Sequence, residues 1–147
     1  LNFKGAGRRF EVYGECNGAL VVDDYAHHPT ELRATITTAK EMGYKRLIVV
    51  HQPFTYSRTK MLFNDFVDVL KIPDITVLTP IMGSREPNDP TITSAKLAAQ
   101  IPGAVLVDGL KEAADWVKQN AQPGDLVLTL GCGDIYKAGK MMVADAQ

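Results

Sequence analysis

The chain has 147 residues, of which 46% are hydrophobic and 22% charged, and its formal net charge is -1. That length allows one domain with a real core, and that balance is typical of an ordinary soluble globular protein. The near-neutral charge argues against a general nucleic-acid binder, and no apolar run approaches the ~20 residues of a membrane span.

The start carries no signal-peptide pattern, so a cytoplasmic location is expected. The chain begins at Leu1 rather than Met, as a piece of a longer protein would. Cys16 and Cys132 lie far apart, and neither a disulfide framework nor a metal spacing follows from them. Inert thiols in a reducing compartment are the simplest reading.

In chain order, residues 1–9 look like a lead-in, with Gly5, Gly7, Arg8 and Arg9. Residues 10–14 alternate as a half-buried strand does, Cys16-Asn17-Gly18 supplies a turn, and residues 19–22 form a second strand. Then comes Asp-Asp-Tyr-Ala-His-His-Pro-Thr-Glu over 23–31, read as a turn that enters a helix over 29–42, with Pro29 early and Gly43 as its stop. Residues 46–50 are a continuous apolar strand, the kind buried on both faces of a parallel sheet. The loop from His51 to Arg58 opens a second helix whose apolar face is Leu62, Phe63, Phe66, Val69 and Leu70. A strand over 75–78 and a long loop over 79–91 follow. Next come a helix with Ser94 as candidate N-cap and a strand over 104–107. A helix over 110–120 and a strand over 126–130 precede Gly131-Cys132-Gly133-Asp134, which breaks to a last helix.

Strands alternating with helices predict an α/β fold. We expect a Rossmann-like three-layer sandwich over residues 1–147, one domain, with a mostly parallel sheet of about six strands and an antiparallel hairpin at the start.

Three loops should meet at the carboxyl edge of such a sheet, where ligands bind in open α/β folds. In the first, the Asp24 carboxylate can accept from ligand hydroxyls and the Tyr25 ring can stack on a base, while His27 can bind an anion or pass a proton. The structural alternative is that an aspartate closes the turn and a histidine hydrogen-bonds backbone. Two histidines with two aspartates also have metal-ligand chemistry, but neighbours in a turn point apart and no His-x-x-x-His completes a set. In the second loop, Arg58 stands near a helix start, where N–H groups favour an anion and the guanidinium fork matches a carboxylate. The third, Gly-Cys-Gly-Asp, is either a phosphate-binding turn or a turn whose glycines allow close packing. No G-x-S-x-G is present, which leaves a hydrolase without a nucleophile elbow.

Four motifs in this order resemble the carboxyl-terminal domain of the Mur ligases. They are Arg-Arg-Phe-Glu at 8–11, the 23–31 stretch, Gln-Pro-Phe-Thr-Tyr-Ser-Arg-Thr at 52–59, and Leu-Gly-Cys-Gly-Asp-Ile at 130–135. The likeness is strongest to the branch that joins L-alanine to UDP-N-acetylmuramate, and a murein-peptide ligase shares the histidine motif. The resemblance implies ATP-driven amide formation through an acyl phosphate, with ATP and Mg2+ bound mainly by a central domain and the UDP-sugar by an amino-terminal one. Neither belongs to this chain, which has no G-x-x-x-x-G-K-[ST]. It also implies that Asp24 and Tyr25 lie near the ATP ribose and adenine, and that His27 and Arg58 serve the L-alanine site. No metal ligand, nucleic-acid contact or membrane contact is implied for this domain, and no catalytic residue. The family often carries His-Arg where this chain has Phe54-Thr55. A stand-alone nucleotide- or amino-acid-binding module is the alternative from a different class.

Overall fold

Asn17 and Gly18 take φ values of 56° and 83°, the two positive angles that a two-residue type I′ hairpin requires. They join β1 (Glu11–Cys16) to an antiparallel β2 (Ala19–Asp24). The Asn17 amide also donates to the carbonyls of Lys118 and Ala121, which ties the hairpin tip to the far end of the chain. The computed structural model describes residues 9–144. The lead-in expected over residues 1–9 therefore lies outside the described residues except for Arg9.

After the hairpin the chain alternates as expected. It forms α1 (Pro29–Glu41), β3 (Arg46–His51), α2 (Tyr56–Met61), α3 (Phe63–Leu70) and β4 (Ile75–Leu78). Then come α4 (Ser94–Ala99), β5 (Val105–Leu106), α5 (Leu110–Asn120), β6 (Asp125–Leu130) and α6 (Tyr136–Ala144). Three local readings are corrected. β2 runs on through Asp23 and Asp24, because both pair with β6 and the Asp23 carboxylate accepts the Thr129 hydroxyl at 2.6 Å inside the core. The single helix expected after residue 58 is two, since Leu62 leaves helical geometry at φ -107° and ψ 26° and serves as the C-cap of α2 and the N-cap of α3. The N-cap of α4 is Thr93, whose hydroxyl accepts the Lys96 N–H; Ser94 instead donates to the Thr79 carbonyl.

Among the described residues the strands form one six-stranded sheet in the order β1-β2-β6-β3-β4-β5, antiparallel between β1 and β2 and parallel elsewhere. Its central strands β6 and β3 are apolar through most of their length because both faces are covered. Leu47 and Val49 of β3 pack on one face with Leu32, Ile36, Phe66 and Leu97 from α1, α3 and α4. Ile48 and Val50 pack on the other with Ala113, Val117, Ala138 and Met142 from α5 and α6. This is the expected Rossmann-like three-layer sandwich. Each fully buried aliphatic side chain contributes roughly 1.5–3 kcal/mol over leaving it in water. No helix among the described residues is long and apolar enough to cross a membrane.

β6 is last in sequence but sits between β2 and β3. The connection leaving β3 runs outward to β4 over one face, while α6 turns back over β1 and β2 on the other. Connections that diverge in this way leave a crevice outside the carboxyl ends of the strands.

At the opposite edge, Arg46 of β3 grips Asp125 of β6 with two hydrogen bonds, at 2.9 and 2.7 Å. Burial pulls the Asp125 carboxyl up, but Arg46 and the Gln122 N–H outweigh it and hold the carboxyl below its ordinary value. A depressed carboxyl stabilises the fold fully above its unfolded pKa of about 3.9, and the contribution fades as pH falls through the lower folded value. Asp125→Asn is therefore expected to lose about 2 kcal/mol at pH 7. Urea titrations should show the difference between wild type and variant shrinking below about pH 4.

Candidate functional site at the carboxyl edge of the sheet

Asp24, Leu130, His51 and Leu78 stand in one row across β2, β6, β3 and β4. The backbone is stitched just beyond that row: Gly131 N–H donates to the Asp24 carbonyl at 3.3 Å and Gln52 N–H to the Leu130 carbonyl at 3.2 Å. The three loops read from the sequence therefore do leave from neighbouring strand ends.

In the first loop the polar groups divide into two sets. One set holds the loop itself. Asp24 is 2% exposed, and its carboxylate accepts the N–H of Phe10 at 2.8 Å and of Ala26 at 2.9 Å. Burial leaves its pKa raised, against the pull of those two N–H groups and of Arg9. The His28 ring accepts the Thr30 N–H, and Glu31 reaches back to the N–H groups of His27 and His28, a capping box with Pro29 in the first turn. Burial pushes the Glu31 carboxyl up, yet those N–H groups outweigh it and keep it below the ordinary value. The second set faces outward. Tyr25 is 44% exposed and meets the His27 ring edge-on at 5.5 Å. His27 Nδ1 lies 3.2 Å from the Tyr25 carbonyl and 3.5 Å from Glu31. Arg9, Asp24, Tyr25, Thr30, Glu31 and Thr35 line a cleft of about 290 Å³. Neither His27 nor Arg58 lines it.

The second loop carries Arg58 as the third residue of α2, half-buried. Among the described residues no carboxylate pairs with its guanidinium. The anion expected at this helix start is supplied from within: Glu86, in the long loop after β4, accepts the N–H of Tyr56 at 2.8 Å and of Ser57 at 3.0 Å. Sequence reasoning missed Glu86, since nothing local marks a contact across some thirty residues.

In the third loop the glycines answer to a side chain. Gln52 is 5% exposed and donates to Asp134 at 2.8 Å. A Cβ on Gly133 would lie 2.4 Å from the Gln52 Oε1, and one on Gly131 (φ 152°) would lie 3.2 Å from the Gln52 carbonyl. The structure thus shows the close packing that the glycines of this turn allow. His51, also missed, is buried against Phe66. Its Nδ1 lies 3.0 Å from the Leu130 carbonyl, while Nε2 has no partner among the described residues. Burial lowers its pKa to about 4, so the ring is neutral at pH 7 and Nδ1 carries the proton that Leu130 accepts. Among the described residues no group of three or more His, Cys, Asp or Glu side chains is arranged to hold a metal ion.

The family model for the Mur ligase, glutamate ligase domain, matches residues 8–133 and so takes in the first two loops and the third as far as Gly133. The chain belongs to the Mur ligase family. It is 46% identical over 143 residues to the UDP-N-acetylmuramate–L-alanine ligase of Lachnospira eligens, covering 95% of this chain and 31% of that protein. With the enzyme of the same name from Acetivibrio thermocellus it shares 41% over 150 residues, covering 99% of this chain and 32% of that protein. The chain thus spans about a third of the length of these relatives. The crystal structure of the UDP-N-acetylmuramate–alanine ligase of Thermotoga maritima superposes with a TM-score of 0.75 at 24% identity, over 95% of this chain and 30% of that one. At that identity the likeness is one of fold.

Within this Mur ligase fold the Gln52–Gly133 contact is open to test. Gly133→Ala should cost about 1–3 kcal/mol in thermal or chemical unfolding, because the pinned Gln52 amide must leave Asp134. Adding Gln52→Ala removes the colliding atom, so the double variant should cost less than the sum of the two single changes.

Proposed function

We propose that this chain is the carboxyl-terminal domain of an ATP-dependent ligase that joins L-alanine to UDP-N-acetylmuramate, a cytoplasmic step of peptidoglycan precursor synthesis. The observation that carries this reading is the likeness to the two alanine ligases over nearly the whole chain. The remaining domains of the same protein would bind the UDP-sugar and hold most of the ATP and its Mg2+.

Several features of the cleft suit a nucleoside. Tyr25 offers an exposed aromatic face, and Asp24 a carboxylate with lone pairs left after two N–H contacts. Arg9 adds a cation on the same cleft. ATP with Mg2+ would supply activation of the sugar carboxylate by its γ-phosphoryl group, so that the alanine amine can form the amide at the acyl carbon with phosphate as the leaving group. The residues of this chain position the reactants. Arg58 grips the alanine carboxylate with its fork, which holds no carboxylate among the described residues, and His27 lines the same site. Closure of this domain brings the amine to the acyl carbon and excludes water.

In the full-length protein, Arg58→Ala should raise the alanine KM and leave kcat nearly unchanged, because that carboxylate does not react. The loss of a charge-assisted fork is about 2–3 kcal/mol, or roughly 30- to 150-fold in kcat/KM. Lysine should rescue only in part, lacking the planar fork. His27→Ala should also raise the alanine KM, and Tyr25→Ala chiefly that of ATP. Steady-state kinetics with each substrate varied in turn decide the assignment; an alanine KM untouched by Arg58→Ala would refute it. The chain by itself, given ATP, Mg2+, UDP-N-acetylmuramate and L-alanine, should show no turnover above blank.

A further inference from the structure

α2 has six residues, too few to hold a helix by its own hydrogen bonds. Its N-cap, Thr55, adopts φ 67° and ψ 144°. A β-branched residue rarely takes such a conformation, and it persists only where the surroundings over-determine it. Those surroundings come from the loop after β4. Thr55 N–H donates to the Met82 carbonyl at 2.8 Å and Met82 N–H to the Pro53 carbonyl at 2.9 Å, a two-rung parallel ladder around the Phe54–Met82 bridge. Gly83 lies so close to the Tyr56 ring that a Cβ there would stand 2.5 Å from it. The Glu86 carboxylate then takes the N–H groups of Tyr56 and Ser57 and, on its other oxygen, the Ser57 hydroxyl. Farther along, Lys60 in the last turn of α2 donates to the Thr91 hydroxyl and lies 3.6 Å from Asp89.

This arrangement exhausts the helix start. Tyr56 and Ser57 give their N–H groups to Glu86, and Arg58 gives its own to the Thr55 hydroxyl at 3.3 Å. No N–H of that first turn is left for a substrate anion, so the Arg58 side chain alone must meet the carboxylate and its direction becomes decisive. We infer that Glu86 is a positioning residue: it fixes the first turn of α2 and thereby aims the Arg58 guanidinium at the amino-acid carboxylate. The Ser57 hydroxyl and N–H, with the Tyr56 N–H, hold the Glu86 carboxyl below its ordinary value, so the clamp is ionised at neutral pH. The inference rests on the role given to Arg58 above, and its test separates the two.

The test is steady-state kinetics of the full-length protein carrying Glu86→Ala, Glu86→Gln, Arg58→Ala and the double change Glu86→Ala with Arg58→Ala. Glu86→Ala should raise the alanine KM about tenfold, with kcat and the ATP KM within about twofold of wild type. Glu86→Gln keeps an oxygen acceptor for both N–H groups and should restore most of the loss. If Glu86 acts through Arg58, the double variant is no worse than Arg58→Ala alone. Should Glu86→Ala fail to fold, Glu86→Gln and Ser57→Ala carry the same test, each with a smaller rise confined to the alanine KM. A shift in Arg58→Ala with none in the Glu86 variants, or additive losses in the double variant, overturns this inference and leaves the role of Arg58 intact. An unchanged alanine KM in Arg58→Ala overturns both.

Discussion

The insertion of β6 between β2 and β3 is the pairing on which the carboxyl edge depends. It brings Asp24, Leu130 and His51 into one row, although they come from the beginning, end and middle of the chain. The joint is held by more than ladder hydrogen bonds. Asp23 is fully buried, and the Thr129 hydroxyl of β6 meets its carboxylate across that joint. Such a group is tolerable in a core only because it is satisfied, and the Thr129 hydroxyl contributes to that. At the other edge, Arg46 and Asp125 tie β6 to β3 in the same manner. Polar pairs at both ends of β6 thus fasten a strand whose middle is held by apolar packing on two faces.

The elements themselves were largely legible in the sequence. The apolar run at 46–50 and the periodicity of Ala113, Ala114 and Val117 report burial on two faces and on one stripe, and the structure follows them. Pairing order was not legible, because periodicity says which face is buried and not which strand lies alongside. Asp23 and Asp24 read as turn residues because carboxylates are depleted from strands; their partners, Thr129, Phe10 and Ala26, include one more than a hundred residues away. Likewise, the sequence around Gly131 and Gly133 gives no sign that the Gln52 side chain fills the space at Gly133 and that Ile135 and the Gln52 carbonyl crowd Gly131.

The titratable groups concentrated in residues 23–31 divide into two sets in the structure. Asp24, His28 and Glu31 build the turn and start α1, while Tyr25 and His27 stand on its outer side. The second loop repeats the division: Thr55 and Ser57, with Glu86 from the loop after β4, build α2, while no carboxylate among the described residues pairs with the Arg58 guanidinium. Where the family often has His-Arg, this chain has Phe54 in a bridge to Met82 and Thr55 as a strained N-cap. Those two positions serve the scaffold here, and in the proposed function carboxylate recognition falls to Arg58. Sequence likeness over nearly the whole chain and this division of labour point to the same proposed role, a domain that positions an amino acid and closes on a nucleotide.

The most direct test of that role is a crystal structure of the full-length protein with L-alanine and a non-hydrolysable ATP analogue. The account predicts the alanine carboxylate in a two-pronged contact with Arg58, His27 beside it, and the adenosine against Tyr25 with its ribose toward Asp24. Alanine bound away from the α2 loop, with Arg58 turned to solvent or holding a phosphate, would contradict it.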